Sequence, residues 1–417
     1  MVAIAPFRAL RYNLERIGDL SAVVAPPYDV ISPDEQARLY DASPYNVVRL
    51  IYGKDLPEDD ASDNRYTRAK QAFDAWRAEG MLLRDAAPAL YLYQHEFVWQ
   101  GEPFQRLGFV GLLEFEGSVP GHVFPHEATF GAPKADRTRL LDAVGANLSP
   151  IFCVLDDPSH RIHSRLQRLS QTLSPLATAR LGEEAVSIWA VTEPQAIQDI
   201  RRDASAGDVL IADGHHRFEV ALSRRQRFGA VMSYFSCVED PGLRVRPIHR
   251  VARLPAGSQE AWRARCATLC EMTPVESLSS LTRWLSGRQA QGQFGYYEDG
   301  RFFQVTIRPQ VLAEWLVRPS VPLALAGLDV TLLHQVLVPA LLEGRRPADN
   351  HLFGYTPDPA QAVAMVERGE GDCAWLLREL PLPQVFALAL QGLTLPQKST
   401  YFYPKLLSGL FLNPCEP

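Results

Sequence analysis

The sequence is short of several signatures. Its six cysteines, at positions 153, 237, 266, 270, 373 and 415, form no CxxC pair, which argues against a zinc ribbon or a thioredoxin-type centre. Cys266 and Cys270 are spaced to share a helix face and read as two small buried side chains. No tail or block of Lys and Arg appears, and the formal net charge is -6, which speaks against a nonspecific nucleic-acid binder. No GxxxxGK[ST] loop, no GxGxxG after a strand and no GxSxG elbow is present, so P-loop, Rossmann and α/β-hydrolase readings fall away. The most apolar run, residues 321–342, is interrupted by Pro322, Asp329, His334, Gln335 and Pro339. It predicts a core helix rather than a membrane span. The N-terminus lacks the apolar core and cleavage site of a signal peptide, so the expected location is the cytoplasm.

What is present is ordinary globular material. The 417 residues are 47% hydrophobic and 22% charged, enough for two or three domains. Ser32, Pro33 and Glu35 open a helix in the sequence SPDEQARLY. A second helix is predicted from about Asp63 to Gly80, with Tyr66, Ala69, Phe73 and Trp76 on one stripe. Two alternating runs split by QGEP predict a hairpin. Buried strands follow at SPIFCVLDD and DVLIAD, and a helix is predicted from about Gly214 to Phe228. Strands and helices are intermixed throughout, so the fold class is α+β (mixed α/β).

The chemistry concentrates in VLIADGHHRFEVAL, whose layout is strand, tight turn, helix. Such a junction presents unpaired backbone N–H groups and the positive end of a helix dipole, a natural seat for phosphate. Gly214 lets the backbone approach closely. Arg217 offers a bidentate fork for phosphate oxygens, and His215 and His216 offer donors or a general acid/base. Asp213 can cap the helix, hold a histidine tautomer, or bind a metal carried by a nucleotide. The plain alternative is that Asp213 only caps the helix and the histidines are polar surface. A metal site made of His215 and His216 alone is disfavoured, because adjacent residues seldom point at one ion.

Three further clusters bear on function. APPYDV ends in Asp29, either an Asx cap on a proline-fixed turn or a catalytic carboxylate. PHEATFGAPKADR gathers His126, Glu127, Thr129, Lys134, Asp136 and Arg137, with Glu127 a general-base candidate and Lys134 and Arg137 suited to phosphate. His122 and His126 are four apart, but Pro125 makes a helical metal pair doubtful. QKSTYFYPKLLSG interleaves Lys398, Ser399, Thr400 and Lys405 with aromatic residues, which suits nucleotide binding or a packed strand equally. Arg246, His249 and Arg250 fall on a predicted strand, and the two arginines read as salt-bridged surface groups.

These motifs carry a resemblance. APPYDVIS, SPYNVVRL, PHEATFGAPKADR, ANLSPIF, ADGHHR, RPIHR and LPQKSTYFYPKLLSG together resemble the DUF1015 family across nearly the whole chain. ADGHHR itself resembles the phosphate-binding turn of the ParB/sulfiredoxin-like superfamily, in particular the DGHHR motif of ADP-dependent free serine kinases. The resemblance implies a ParB/sulfiredoxin-like core assembled from about residues 1–50 and 185–255, a large inserted α/β region at 51–184, and a C-terminal α/β portion at 256–417. In a ParB-like fold the N-terminal strand region lies beside the phosphate turn, which would bring Asp29 to it. The implied function is small-molecule phosphoryl transfer, with ADP or ATP and Mg2+ as donor and a hydroxyl metabolite such as free L-serine as acceptor. Asp213, Gly214, His215, His216 and Arg217 would cradle phosphate, helped by Lys134, Arg137, Lys398, Ser399 and Thr400. Glu127 or Asp29 would be the base, and any protein-bound metal is unknown. The alternatives are a phosphomonoesterase acting on a phosphoserine-like substrate, with a histidine handling the proton, and a non-catalytic regulator that binds a nucleotide or phosphometabolite. A DNA-linked CTP switch ranks third, because the chain is acidic and lacks a helix-turn-helix signature. The partner is therefore a phosphorylated small molecule or nucleotide, not a membrane or nucleic acid, and the reading admits a homodimer.

Overall fold

Alternation at period two across residues 90–114 builds the strongest element of the chain. Leu90–Trp99 and Glu102–Glu114 pair antiparallel around Gln100 and Gly101, both at positive φ. This is the predicted hairpin, and it forms the middle of a nine-stranded sheet. The computed structural model describes residues 1–119, 121–127, 131–255, 259–287, 290–317, 321–342 and 352–415.

The described chain divides into two units. The first comprises Met1–Pro125, Thr129–Arg244 and Phe402–Pro417; the second comprises His126–Ala128 and Val245–Tyr401. Strands from 51–184 and from 185–244 are hydrogen-bonded into one sheet, and apart from His126–Ala128 this whole stretch belongs to the first unit, which ends here at Arg244. Helices and strands are mixed in both units, so the α+β class holds.

The sheet of the first unit runs Val123–Pro125, Val209–Asp213, Ile151–Leu155, Ala230–Cys237, Glu102–Glu114, Leu90–Trp99, Glu184–Val191, Ala177–Leu181, with Ile4–Ala5 added beside Glu102–Glu114. Ile151–Leu155 is buried at every residue, as its unbroken apolar run requires. It pairs antiparallel with Val209–Asp213 and parallel with Ala230–Cys237. The helix Arg161–Thr172 buries Ile162 and Leu166 on this core, and Pro194–Ala204 buries Ile200 and Ala204. Ser32 caps Pro33–Ala42 by accepting from the Glu35 amide, as its sequence predicts. The second predicted helix runs Arg65–Ala78, with Ala69, Phe73 and Trp76 buried.

The second unit holds a six-stranded sheet in the order Cys270–Val275, Arg301–Ile307, Gln293–Glu298, Cys373–Leu376, His249–Ala252, Phe353–Thr356. Cys266 lies on the helix Gln259–Leu269, whereas Cys270 opens a strand, so the two do not share a helix face; both are buried. The apolar run 321–342 forms a short helix Leu323–Ala326 and, after Gly327 and Leu328, a continuous helical stretch of Asp329–Leu332, a π-helical turn at Leu333–Leu337 and Val338–Leu341. Asp329 is buried against Arg378. Among the described residues, no helix is long and apolar enough to cross a membrane.

Candidate functional site

The strand Val209–Asp213 is apolar and buried until its last residue, Asp213. Between Ile211 and Asp213 its register against Ile151–Leu155 shifts, with Ala212 as the extra residue. Such a bulge re-aims the side chain that follows. Gly214 then turns the chain at φ 89 and serves as N-cap of the helix His215–Ser223. A side chain is excluded there twice over: the φ is left-handed, and a Cβ would stand 2.9 Å from Nη2 of Arg217. The guanidinium folds back flat over the glycine.

Asp213 does not cap the helix. Its Oδ2 accepts from Arg217 Nη2 at 3.0 Å, and its Oδ1 is ion-paired with Lys405 Nζ. Arg217 also donates through Nη1 to the Pro150 carbonyl at 2.7 Å, while its buried Nε has no hydrogen-bond partner. Burial pushes the Asp213 carboxyl up, but Lys405 and Arg217 outweigh this and hold it at about 2. His215 and His216 occupy the first two positions of the helix and are half-buried. At the head of this helix, therefore, one ionised carboxylate is shared by two cations.

Lys405 stands 192 residues from Asp213 and is brought to it by the C-terminal segment of the first unit. Arg106 anchors that segment. It is fully buried and donates through Nη1 to the Pro404 carbonyl at 2.8 Å, with its guanidinium 4.5 Å over the Phe152 ring. Neither residue was expected at the turn. Lys405 belongs to a cation-bearing aromatic motif in the sequence, which is the signal that could have found it.

The APPYDV segment reaches the same site, through Tyr28 rather than Asp29. Asp29 is exposed; the Tyr28 hydroxyl is pushed up to about 12, chiefly by burial and by Asp29, against the opposing charges of Arg137 and Arg217. Arg137 stacks over the Tyr28 ring at 3.9 Å, donates to the Ile51 carbonyl at 2.9 Å, and pairs with Asp136. Asp136 in turn accepts from Arg65 at 2.6 Å and from the Tyr66 hydroxyl at 2.8 Å. Lys134 is ion-paired with Glu219 on the helix that Gly214 opens. His122 is bonded to Asp208 at 2.8 Å.

Glu127 and residues 398–400 belong to the second unit and bind one another. The amides of Lys398, Ser399 and Thr400 converge on the Glu127 carboxylate at 3.3, 3.0 and 3.0 Å, and Thr400 Oγ1 adds a bond at 3.1 Å. Lys398 adopts φ 57 to aim its amide. His126 Nε2 meets Thr400 Oγ1 at 2.7 Å. The three residues expected at phosphate thus give their backbone donors to an internal carboxylate. The same bonds occupy the oxygens that the expected base Glu127 would need. Thr129, named with this cluster, lies outside the described residues.

The surface reading of the RPIHR arginines is corrected at Arg250. Arg250 is fully buried on His249–Ala252, donating to His334 Nε2 at 3.1 Å and to the Ile248 carbonyl. Among the described residues, no three His, Cys, Asp or Glu gather as a metal site. Both oxygens of Asp213 are engaged by cations.

Comparison with known proteins places the chain. Solved structures similar to it include a conserved hypothetical protein from Pyrococcus furiosus, at 15% identity, covering 71% of this chain and 91% of that one, with a TM-score of 0.37. A free serine kinase variant in complex with AMP matches at 14% identity, covering 70% and 86%, with a TM-score of 0.37. SbnI from Staphylococcus aureus, with a C-terminal truncation, matches at 10% identity, covering 72% and 85%, with a TM-score of 0.34. No curated protein matches. The family model described as "Protein of unknown function (DUF1015)" matches residues 4–331, and with most of its length so covered, the chain belongs to the DUF1015 family.

Proposed function

We propose that this protein transfers a phosphoryl group between a nucleotide and a small hydroxyl-bearing metabolite such as free L-serine. The observation that carries the reading is the cluster at the head of the helix His215–Ser223, where Arg217 and Lys405 share Asp213 beside Gly214. The carboxylate keeps both cations in place before the ligand arrives, and phosphate oxygens then compete for the same donors and for the amides of the first helical turn. The likeness of ADGHHR to the serine-kinase turn supports the same reading.

In the transfer, the bond from the terminal phosphorus to the nucleotide oxygen breaks and its electron pair leaves with the nucleotide. A bond to the acceptor oxygen forms, and the acceptor proton passes to a base, His215, His216 or Asp29. ADP or ATP is the donor, and Mg2+ arrives with it rather than in a cage of protein ligands. Positioning and electrostatics carry most of the rate in such chemistry. The test is incubation with ADP or ATP, L-serine and Mg2+, with phosphoserine detected by mass spectrometry. Product in one of these mixtures is the expected result. No product with either nucleotide overturns the reading, and phosphate released from phosphoserine without nucleotide replaces it with hydrolysis.

A further inference from the structure

A cavity of about 60 Å³ lies within the first unit, between the helix Gly131–Val144, the helix His215–Ser223 and the start of Ile151–Leu155. Its walls are of two kinds. Leu140, Val220 and Val231 make an aliphatic floor, while Tyr28, Arg137 and Arg217 supply the polar side. Both guanidiniums are half-neutralised already, Arg137 by Asp136 and Arg217 by Asp213. Each of those carboxylates is also shared with a second cation, Arg65 or Lys405. Arg217 Nε, buried and without a hydrogen-bond partner, is left as a donor.

Guanidiniums beside a cavity suit an anionic head group. Aliphatic walls reject a fully hydrated ion and favour a short carbon body. The volume holds roughly four to six non-hydrogen atoms, judged by the space that a single water needs. We infer that this cavity is a binding site for a short organic acid of the hydroxy- or amino-acid class, its carboxylate on Arg217 and Tyr28 and its carbon body on Leu140, Val220 and Val231. Arg217 belongs to both the cavity and the phosphate turn. On the reading proposed above, on which this last step rests, the acid is the phosphoryl acceptor.

The test measures binding of L-lactate, 1,2-propanediol and ADP separately by isothermal titration calorimetry. Lactate is expected to bind, and the neutral diol of similar size to bind at least tenfold more weakly. Val220→Ile and Val231→Ile each add one methylene to the cavity, a change that cores tolerate. Each is expected to weaken lactate at least tenfold while ADP affinity stays within twofold; Tyr28→Phe is expected to weaken lactate severalfold. Absent lactate binding, equal binding by the filled variants, or equal binding of the diol overturns the inference. ADP binding without lactate binding sinks the cavity assignment alone. Lactate binding with no binding of ADP, or of ATP measured in the same way, sinks the phosphotransfer reading alone.

Discussion

Asp213 and Glu127 are both carboxylates in motifs rich in cations, and the protein holds them by opposite means. In the first unit Asp213 faces side chains, the ends of Arg217 and Lys405, which reach it from a neighbouring helical turn and from the C-terminal segment. In the second unit Glu127 faces backbone, the three successive amides of residues 398–400. Flexible cations can be shared with an incoming anion. Backbone amides fixed by a turn cannot follow one, and theirs is filled from within. Two motifs that look equally suited to phosphate therefore differ in what they can still bind.

The largest expected effect tests the side-chain arrangement. Arg217→Ala takes from Asp213 one of its two ion-pair partners and removes the fork proposed for phosphate. It should cost about 3 kcal/mol of stability, the scale for breaking a buried pair, and should lower nucleotide affinity by more than a hundredfold. Denaturant unfolding and calorimetry separate the two effects. Wild-type nucleotide affinity in this variant would break the contrast between the units.

Replacing Glu127 tests the backbone seat. Glu127→Ala empties it, and the loss of its charged hydrogen bonds should cost about 2 kcal/mol. If the seat is a true anion site closed by its own carboxylate, sulfate should raise the melting temperature of this variant and leave wild type unchanged. No selective rescue would mean that the amides form a site only when Glu127 organises them.

Acid separates the units further. In the second unit, burial and the charge of Arg250 hold His249 at about 3 and His334 at about 4. Both lie below the unfolded value of about 6.5, so the unfolded chain takes up protons first. The contribution of the neutral histidines is complete above about pH 6.5 and is lost as pH falls from there toward 4 and 3. Protonated His334 can no longer accept from Arg250. Asp213, held at about 2, behaves differently: its contribution is present above about 3.8 and is lost only as pH falls through 2. Hydrogen exchange between pH 6.5 and 4 should therefore show the strand His249–Ala252 loosening, and His334→Gln should reduce that loss.

The smallest effect is expected at Lys134. Its pair with Glu219 is partly exposed, and such pairs contribute about 0–1 kcal/mol. Lys134→Ala should leave stability nearly unchanged, and a large loss of nucleotide binding would extend the phosphate site to that helix.

Much of this was legible without coordinates. Period-two alternation marks the 90–114 hairpin, Ser32 with Pro33 marks a helix start, and ADGHHR marks a strand–turn–helix junction. Each signal lies within about ten to twenty-five residues and follows from local backbone geometry. The unreadable features are those that depend on distant partners or on cumulative burial. Arg250 alternates like a surface residue but is buried, because its donors are met by His334 and by backbone carbonyls far along the chain. The run 321–342 has the composition of one helix but is interrupted at Gly327 and Leu328 and widened to a π turn at Leu333–Leu337.

By itself, then, the sequence determined where a strand–turn–helix junction would form, because a glycine between a buried strand and a helix leaves the chain few other conformations. It also determined the mixed α+β class, through the period of its apolar residues. The tertiary structure alone decided which charges meet at that turn. Lys405 reaches Asp213 across 192 residues, Tyr28 rather than Asp29 faces Arg137, and Glu127 fills the amides that its neighbours in the motif list seemed to offer a ligand. Local sequence sets backbone direction, whereas the balance of buried charge is a property of every element packed around it.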